Sequence, residues 1–196
     1  MSSSIVIIPT YNEIENVEAI IRAVFVLQKE FHVLIVDDNS PDKTGDCVRG
    51  LQEEFKGKLF LETRLEKSGL GTAYIHGFKW AIAKGYEYIF EMDADFSHTP
   101  SDLLRLLKAC ENGADLAVGS RYKKGVNVVN WPLYRVLLSY GASVYVKLVT
   151  GMRVDDPTAG FVCYKREVLE AINLDSVRFV GYAFQIEMKF KTYLQN

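Results

Sequence analysis

Val33-Leu34-Ile35-Val36-Asp37-Asp38-Asn39-Ser40-Pro41-Asp42 is an apolar, β-rich run that stops abruptly in a polar turn. A continuous apolar run of this length reads as a strand buried on both faces. The same pattern lies upstream, where Ile5-Val6-Ile7-Ile8 ends at Pro9-Thr10-Tyr11-Asn12-Glu13. Between them Ile14, Val17, Ile20, Ile21, Val24 and Leu27 form one helical stripe, with Asn12 as the expected N-cap and Glu15 completing a capping box. A second helix is expected from Lys43 to about Phe55. Strand, helix, strand, helix implies right-handed parallel crossovers, hence an α/β sheet with helices on both faces.

The pattern continues downstream. Leu59-Phe60-Leu61 is a third strand, and Lys67-Ser68-Gly69-Leu70-Gly71-Thr72-Ala73 leads into a helix that runs through Ala83. Those glycines would let backbone approach a ligand, and a helix N-terminus beside a lysine suits phosphate; an ordinary glycine-containing loop fits equally well. The order of a Walker A loop is absent. Tyr88-Ile89-Phe90 forms a fourth strand that runs into Glu91-Met92-Asp93-Ala94-Asp95-Phe96-Ser97-His98. Alternate residues of a strand share a face, so Asp93 and Asp95 can converge at its end. Two hard oxygen ligands suit Mg²⁺ or Mn²⁺, although an isolated Asp-x-Asp also describes a surface turn. His98 is the only histidine close enough to that pair to test.

Pro100 opens a helix striped with Leu103, Leu104, Leu106 and Leu107. Asp115 to Gly119 is a fifth strand, followed by the basic run Ser120-Arg121-Tyr122-Lys123-Lys124, which would meet phosphates or simply be solvated. Trp131 to Gly151 is apolar over much of its surface, with Arg135 and Lys147 its only charges. Core packing or a dimer interface is the default expectation; a membrane-surface or lipid-acceptor face is the alternative. Asp155 to Gly160 is a loop entering a strand at Phe161 to Tyr164, a helix spans Lys165 to about Ala171, and a last helix runs from Tyr182 to Asn196. Most of the polar clusters follow strands. In a parallel sheet those ends share one edge, where α/β sheets bind ligands.

Composition bounds the reading. The chain has 196 residues, 48% hydrophobic and 24% charged, with a net charge of -2. That size fits one domain with a real core, and the charge leaves no nucleic-acid footprint. Cys47, Cys110 and Cys163 are odd in number and far apart, which argues against a disulfide framework or a zinc site. No signal peptide or membrane-spanning stretch is visible. The abrupt end reads as a single domain over 1–196 that is cut short at the C-terminus.

Pro9-Thr10-Tyr11-Asn12-Glu13, Val36 to Asp42, Lys67 to Gly71, Asp93 to His98 and Gly119-Ser120-Arg121-Tyr122 come in an order that resembles family 2 glycosyltransferases of the GT-A fold. Within them the likeness is to the polyprenol-phosphate mannosyltransferases, and it covers essentially the whole chain. It implies a Rossmann-like three-layer α/β sandwich with a mostly parallel sheet. It implies that Pro9, Tyr11, Glu13, Val36, Asp38 and Lys67 surround the nucleotide sugar. Asp93, Ala94 and Asp95 would hold donor and metal, Asp95 as the direct ligand, in a position where some members add a glutamine at Ser97. Arg121, Arg135 and Ser139 would bind acceptor phosphate, with Asp93, Asp95 and Arg121 the catalytic group. The implied activity is inverting transfer of a sugar, mannose first, from a nucleoside diphosphate such as GDP to polyprenyl or dolichyl phosphate. The enzyme would lie at the cytoplasmic membrane face, held through 131–151 or by a membrane partner subunit, with a homo-oligomer as a further expectation. A phosphate acceptor is already anionic near neutral pH and needs positioning more than a base. A glycan hydroxyl acceptor would need Asp155 or Asp156 as base, and a non-catalytic nucleotide-sugar-binding subunit is the third reading.

Overall fold

The first strand, β1 (Ser4–Thr10), shows why this sequence makes a three-layer molecule. Val6 and Ile8 face one core, Ile5 and Ile7 the other, and all four are fully buried. β2 (His32–Asp37) repeats the division, with Val33 and Ile35 on the first side and Leu34 and Val36 on the second. A strand that is apolar on both faces needs a helical layer on each. The computed structural model describes residues 3–122 and 133–195, without the side chains of Leu133, Arg135 and Tyr182.

One layer holds α1 (Val17–Phe25), α2 (Thr44–Glu54) and α4 (Leu103–Glu111). The other holds α3 (Leu70–Ala83), α6 (Arg166–Ala171) and α7 (Tyr182–Tyr193). Between them the six strands run in the order β3-β2-β1-β4-β6-β5, with β3 at Leu59–Thr63, β4 at Tyr88–Glu91, β5 at Leu116–Val118 and β6 at Val162–Lys165. β3, β2, β1 and β4 pair in parallel, while β6 runs antiparallel to both β4 and β5. The expected mostly parallel α/β sandwich is therefore present. The reversal of β6 matters for the site: its entry loop, 155–161, lies at the same edge as the carboxyl ends of β1, β2, β4 and β5.

Three local expectations are corrected. α1 begins at Val17, with Asn16 at its N-cap position, not at Asn12. Asn12 has φ 61°. The backbone N–H groups of Asn12, Glu13 and Ile14 donate to Ser40 Oγ, Thr44 Oγ1 and Asp42 Oδ2, each at 3.0 Å. The turn after β2 thus takes the donors that a helix start would leave unpaired. The second correction concerns 131–151. Residues Leu133–Thr150 form one helix, α5, that leaves Tyr134, Leu137, Leu138, Tyr140, Tyr145, Leu148 and Val149 exposed, so it is no core helix.

The third correction concerns the glycines before α3. The Gly71 N–H donates to Val180 O at 2.9 Å, so that helix-terminal donor is taken by protein and not held open for phosphate. A Cβ on Gly71 would stand 2.8 Å from the Phe184 ring and 2.9 Å from Phe179 O, so this glycine serves close packing of α3 on the segment leading into α7.

Candidate active site

The site grows from the polar ends of β1, β2 and β4. Asp37 closes β2 as a knot: Thr10 Oγ1 donates to its Oδ1 at 2.8 Å, and Ser40 donates to it through N at 3.0 Å and Oγ at 2.6 Å. Asp38, beside it, is buried and gripped by Arg64, whose Nε and Nη2 donate to its two oxygens at 2.6 and 2.7 Å. Arg64 also donates to Thr72 Oγ1 at 2.8 Å, tying the β2 end to α3. The Val36 side chain lies wholly in the core, which leaves only its backbone to the sheet edge. Tyr11 is exposed, and the Lys67 ammonium stands 4.1 Å from its ring centroid. Pro9, near the end of β1, and Glu13, in the loop that follows it, are half-buried.

Beyond β4 the two carboxylates differ. Asp93 is half-buried, and Tyr74 Oη donates to its Oδ1 at 3.1 Å. Burial, with the neighbouring Asp95 charge, pushes its pKa up to about 6. Asp95 is exposed, with Ser97 donating to its Oδ1 through N at 2.9 Å and Oγ at 2.6 Å. Ala94 is buried between them, and Phe96 at φ 56° turns the chain sharply. Two adjoining carboxylates, one of them held partly in its neutral form by burial and like charge, are a donor set that a hard divalent cation would neutralise. No cluster of three His, Cys, Asp or Glu side chains built for a metal occurs among the described residues. The two aspartates would therefore hold such an ion together with ligands from a bound molecule. His98 stacks on Phe161 with ring centroids 4.8 Å apart, and burial lowers its pKa, which is the signature of a packed neutral ring.

The last part of the site comes from β5 and the loop entering β6. Arg121 donates through its backbone N and Nε to Asp156 Oδ2 at 3.1 and 2.8 Å, and through Nη2 to Oδ1 at 2.7 Å and to Thr158 Oγ1. Asp156 is fully buried. Burial alone would raise its carboxyl, but the hydrogen bonds and charge of Arg121 outweigh it and hold the pKa below the ordinary value. Asp155 is exposed and pairs with Lys147 of α5 at 3.6 Å. Tyr122 meets Tyr140 of α5 edge-on at 5.5 Å, so α5 flanks the Arg121 side of the site. Ser139 is half-buried on α5, and the Arg135 side chain lies outside the described residues.

Sequence reasoning did not single out Arg64, Tyr74, Glu91 or Lys189. The fully buried Glu91 and Lys189 sit behind Asp93, bridged by Gln185. Burial raises the Glu91 carboxyl and lowers the Lys189 ammonium from their ordinary values. The legible signal was Gln185 and Lys189 four residues apart on the helical face that also carries Met188 and Phe184.

The profile of the family described as "Glycosyl transferase family 2" matches residues 5–172. The polyprenol monophosphomannose synthase of Mycolicibacterium smegmatis is 46% identical over 188 residues, which is 96% of this chain and 71% of that protein. The undecaprenyl-phosphate mannosyltransferase of Micrococcus luteus is 44% identical over 186 residues, 95% of this chain and 76% of that protein. Among solved structures, a Pyrobaculum calidifontis mannosyltransferase in complex with GDP-Man and Mn²⁺ superposes with a TM-score of 0.57 at 20% identity, over 86% of this chain and 46% of that one. That last likeness is one of fold.

Proposed function

We propose, from the premise that this chain belongs to glycosyl transferase family 2, that it moves a mannosyl group from GDP-mannose to a polyprenyl phosphate with inversion. The observation that carries this is the Asp93–Asp95 pair at the end of β4, on the same sheet edge as Arg121. The names of the two relatives support the sugar and the acceptor, and the GDP-Man and Mn²⁺ in the third structure's title support the nucleotide and the cation.

In this reading Tyr11 and Asp38 face the nucleoside, with Arg64 fixing the Asp38 carboxylate and Lys67 leaving the Tyr11 ring for donor phosphate. Asp93 and Asp95 would hold Mg²⁺ or Mn²⁺, and the bound cation would supply positive charge for the departing diphosphate. An acceptor phosphate oxygen forms the new bond to the anomeric carbon from the opposite face while the bond to the diphosphate oxygen breaks. No proton has to leave the attacking oxygen. Arg121, with Arg135 and Ser139, orients that phosphate.

The hydroxyl-acceptor alternative needs a carboxylate base, and both candidates are engaged: Asp156 by Arg121 and Asp155 by Lys147. α5 carries exposed Leu137, Leu138, Leu148 and Val149 and meets Tyr122 through Tyr140, which supports reading its outer face as the surface for a lipid's chain. No helix among the described residues is long and apolar enough to cross a membrane, and the proposed contact is through the exposed face of α5.

Asp95→Ala tests the metal assignment. Cation-dependent transfer to polyprenyl phosphate is expected to drop by roughly 100-fold or more, while the fold persists because Asp95 is exposed. Undiminished turnover would remove Asp95 from the mechanism.

A further inference from the structure

Lys189 on α7 is fully buried, and so is Glu91 at the end of β4. Two desolvated charges are an expensive way to fill a core, and apolar residues of similar volume often do as well or better. Their value lies in fixing one arrangement, and the arrangement here points at the site. Lys189 Nζ donates to Ala159 O at 2.7 Å and to Gln185 Oε1 at 2.8 Å. Gln185 Nε2 donates to Glu91 Oε2 at 2.5 Å. Glu91 closes β4 two residues before Asp93, and both carboxylates meet the same helical layer: Gln185 of α7 reaches Glu91 and Tyr74 of α3 reaches Asp93.

The second arm runs through the backbone. Ala159 is followed by Gly160, where a Cβ would stand 3.6 Å from Asp93 Oδ2 and 3.7 Å from Gln185 Nε2. One oxygen of Asp93 is thus held by Tyr74, and the other borders a backbone that Lys189 anchors.

We propose that Gln185 and Lys189 are positioning residues for Asp93, fixing its carboxylate through Glu91 on one side and through the Ala159–Gly160 backbone on the other. The inference rests on the donor-site reading above. It makes α7 part of the donor site through Glu91 and the Ala159–Gly160 backbone.

The test is a titration with Mn²⁺ in the presence of GDP, with free Mn²⁺ followed by electron paramagnetic resonance and folding followed by circular dichroism. Gln185→Met and the paired Glu91→Gln/Lys189→Met are expected to melt cooperatively and to bind Mn²⁺ about 10- to 100-fold more weakly than the parent, the usual effect of removing a group that orients a metal ligand. Metal-free binding of guanosine should not change. Lys189→Arg, which keeps a charged donor, should recover most of the affinity.

Variants that bind Mn²⁺ like the parent, even with lower melting temperatures, would overturn the positioning role and leave a structural clamp. A parent that binds no Mn²⁺ with GDP would instead overturn the donor-site reading. If the paired variant does not fold, Gln185→Met alone decides by the same criterion, and Lys189→Arg serves as the control expected to bind Mn²⁺ nearly as the parent does.

Discussion

Asp93 and Asp95 are one residue apart and chemically unlike. Asp95 is solvated, whereas Asp93 is raised to about 6 by burial and by Asp95 itself. For an acid with a raised pKa, the proton stays on until the pH passes that value, so a cation must compete with it. Cation affinity should therefore fall as pH drops through about 6 and level off above about 7. Mn²⁺ titrations at stepped pH check this; an affinity flat between pH 5 and 7 would mean that Asp93 is not a ligand. The pair itself was legible in the sequence, because Asp-x-Asp after an apolar strand has a geometric meaning. The inequality was not, because it comes from Tyr74 on a distant helix and from the depth of the β4 end. Asp38 was conspicuous in the sequence too, but nothing near it announced its partner Arg64, 26 residues away.

At the scale of elements, α3 depends on close approach. Gly77 lies mid-helix, where alanine would normally gain about 1 kcal/mol in helix propensity. A Cβ there would stand 2.6 Å from Ile7 Cγ2 in the central strand. Overpacking of that kind costs about 1–3 kcal/mol, so Gly77→Ala should destabilise on balance, as measured by urea denaturation. A stabilised variant would show that α3 can shift off the sheet.

α5 carries the opposite kind of element, one whose apolar side chains face outward. The sequence made this helix conspicuous but could not say whether its apolar surface is core or exterior, since apolar residues lie almost all round it. If it rests on a membrane, Leu137→Glu with Leu148→Glu should weaken binding to lipid vesicles by at least about tenfold, each loss of a buried leucine being worth about 1.5–3 kcal/mol. Unchanged vesicle binding would move the contact elsewhere.

For the whole molecule, the alternation of the first strands was enough to predict helices on both faces and a ligand edge at the strand ends. The antiparallel β6 was not legible, since a short apolar run such as Val162-Cys163-Tyr164 reads the same in either direction. That reversal brings Asp156 to Arg121 across 35 residues and sets the 155–160 loop against Asp93. The proposed role of this edge is to join a mannosyl donor to a lipid phosphate. The most direct test is mass spectrometry of products from a donor-by-acceptor matrix. GDP-mannose and its UDP-sugar competitors would each be offered polyprenyl phosphate or a free glycan, with Mg²⁺ or Mn²⁺. One product is expected, polyprenyl phosphate heavier by a single hexose, from GDP-mannose and only with the cation present. Transfer to the glycan and none to the lipid phosphate would contradict it.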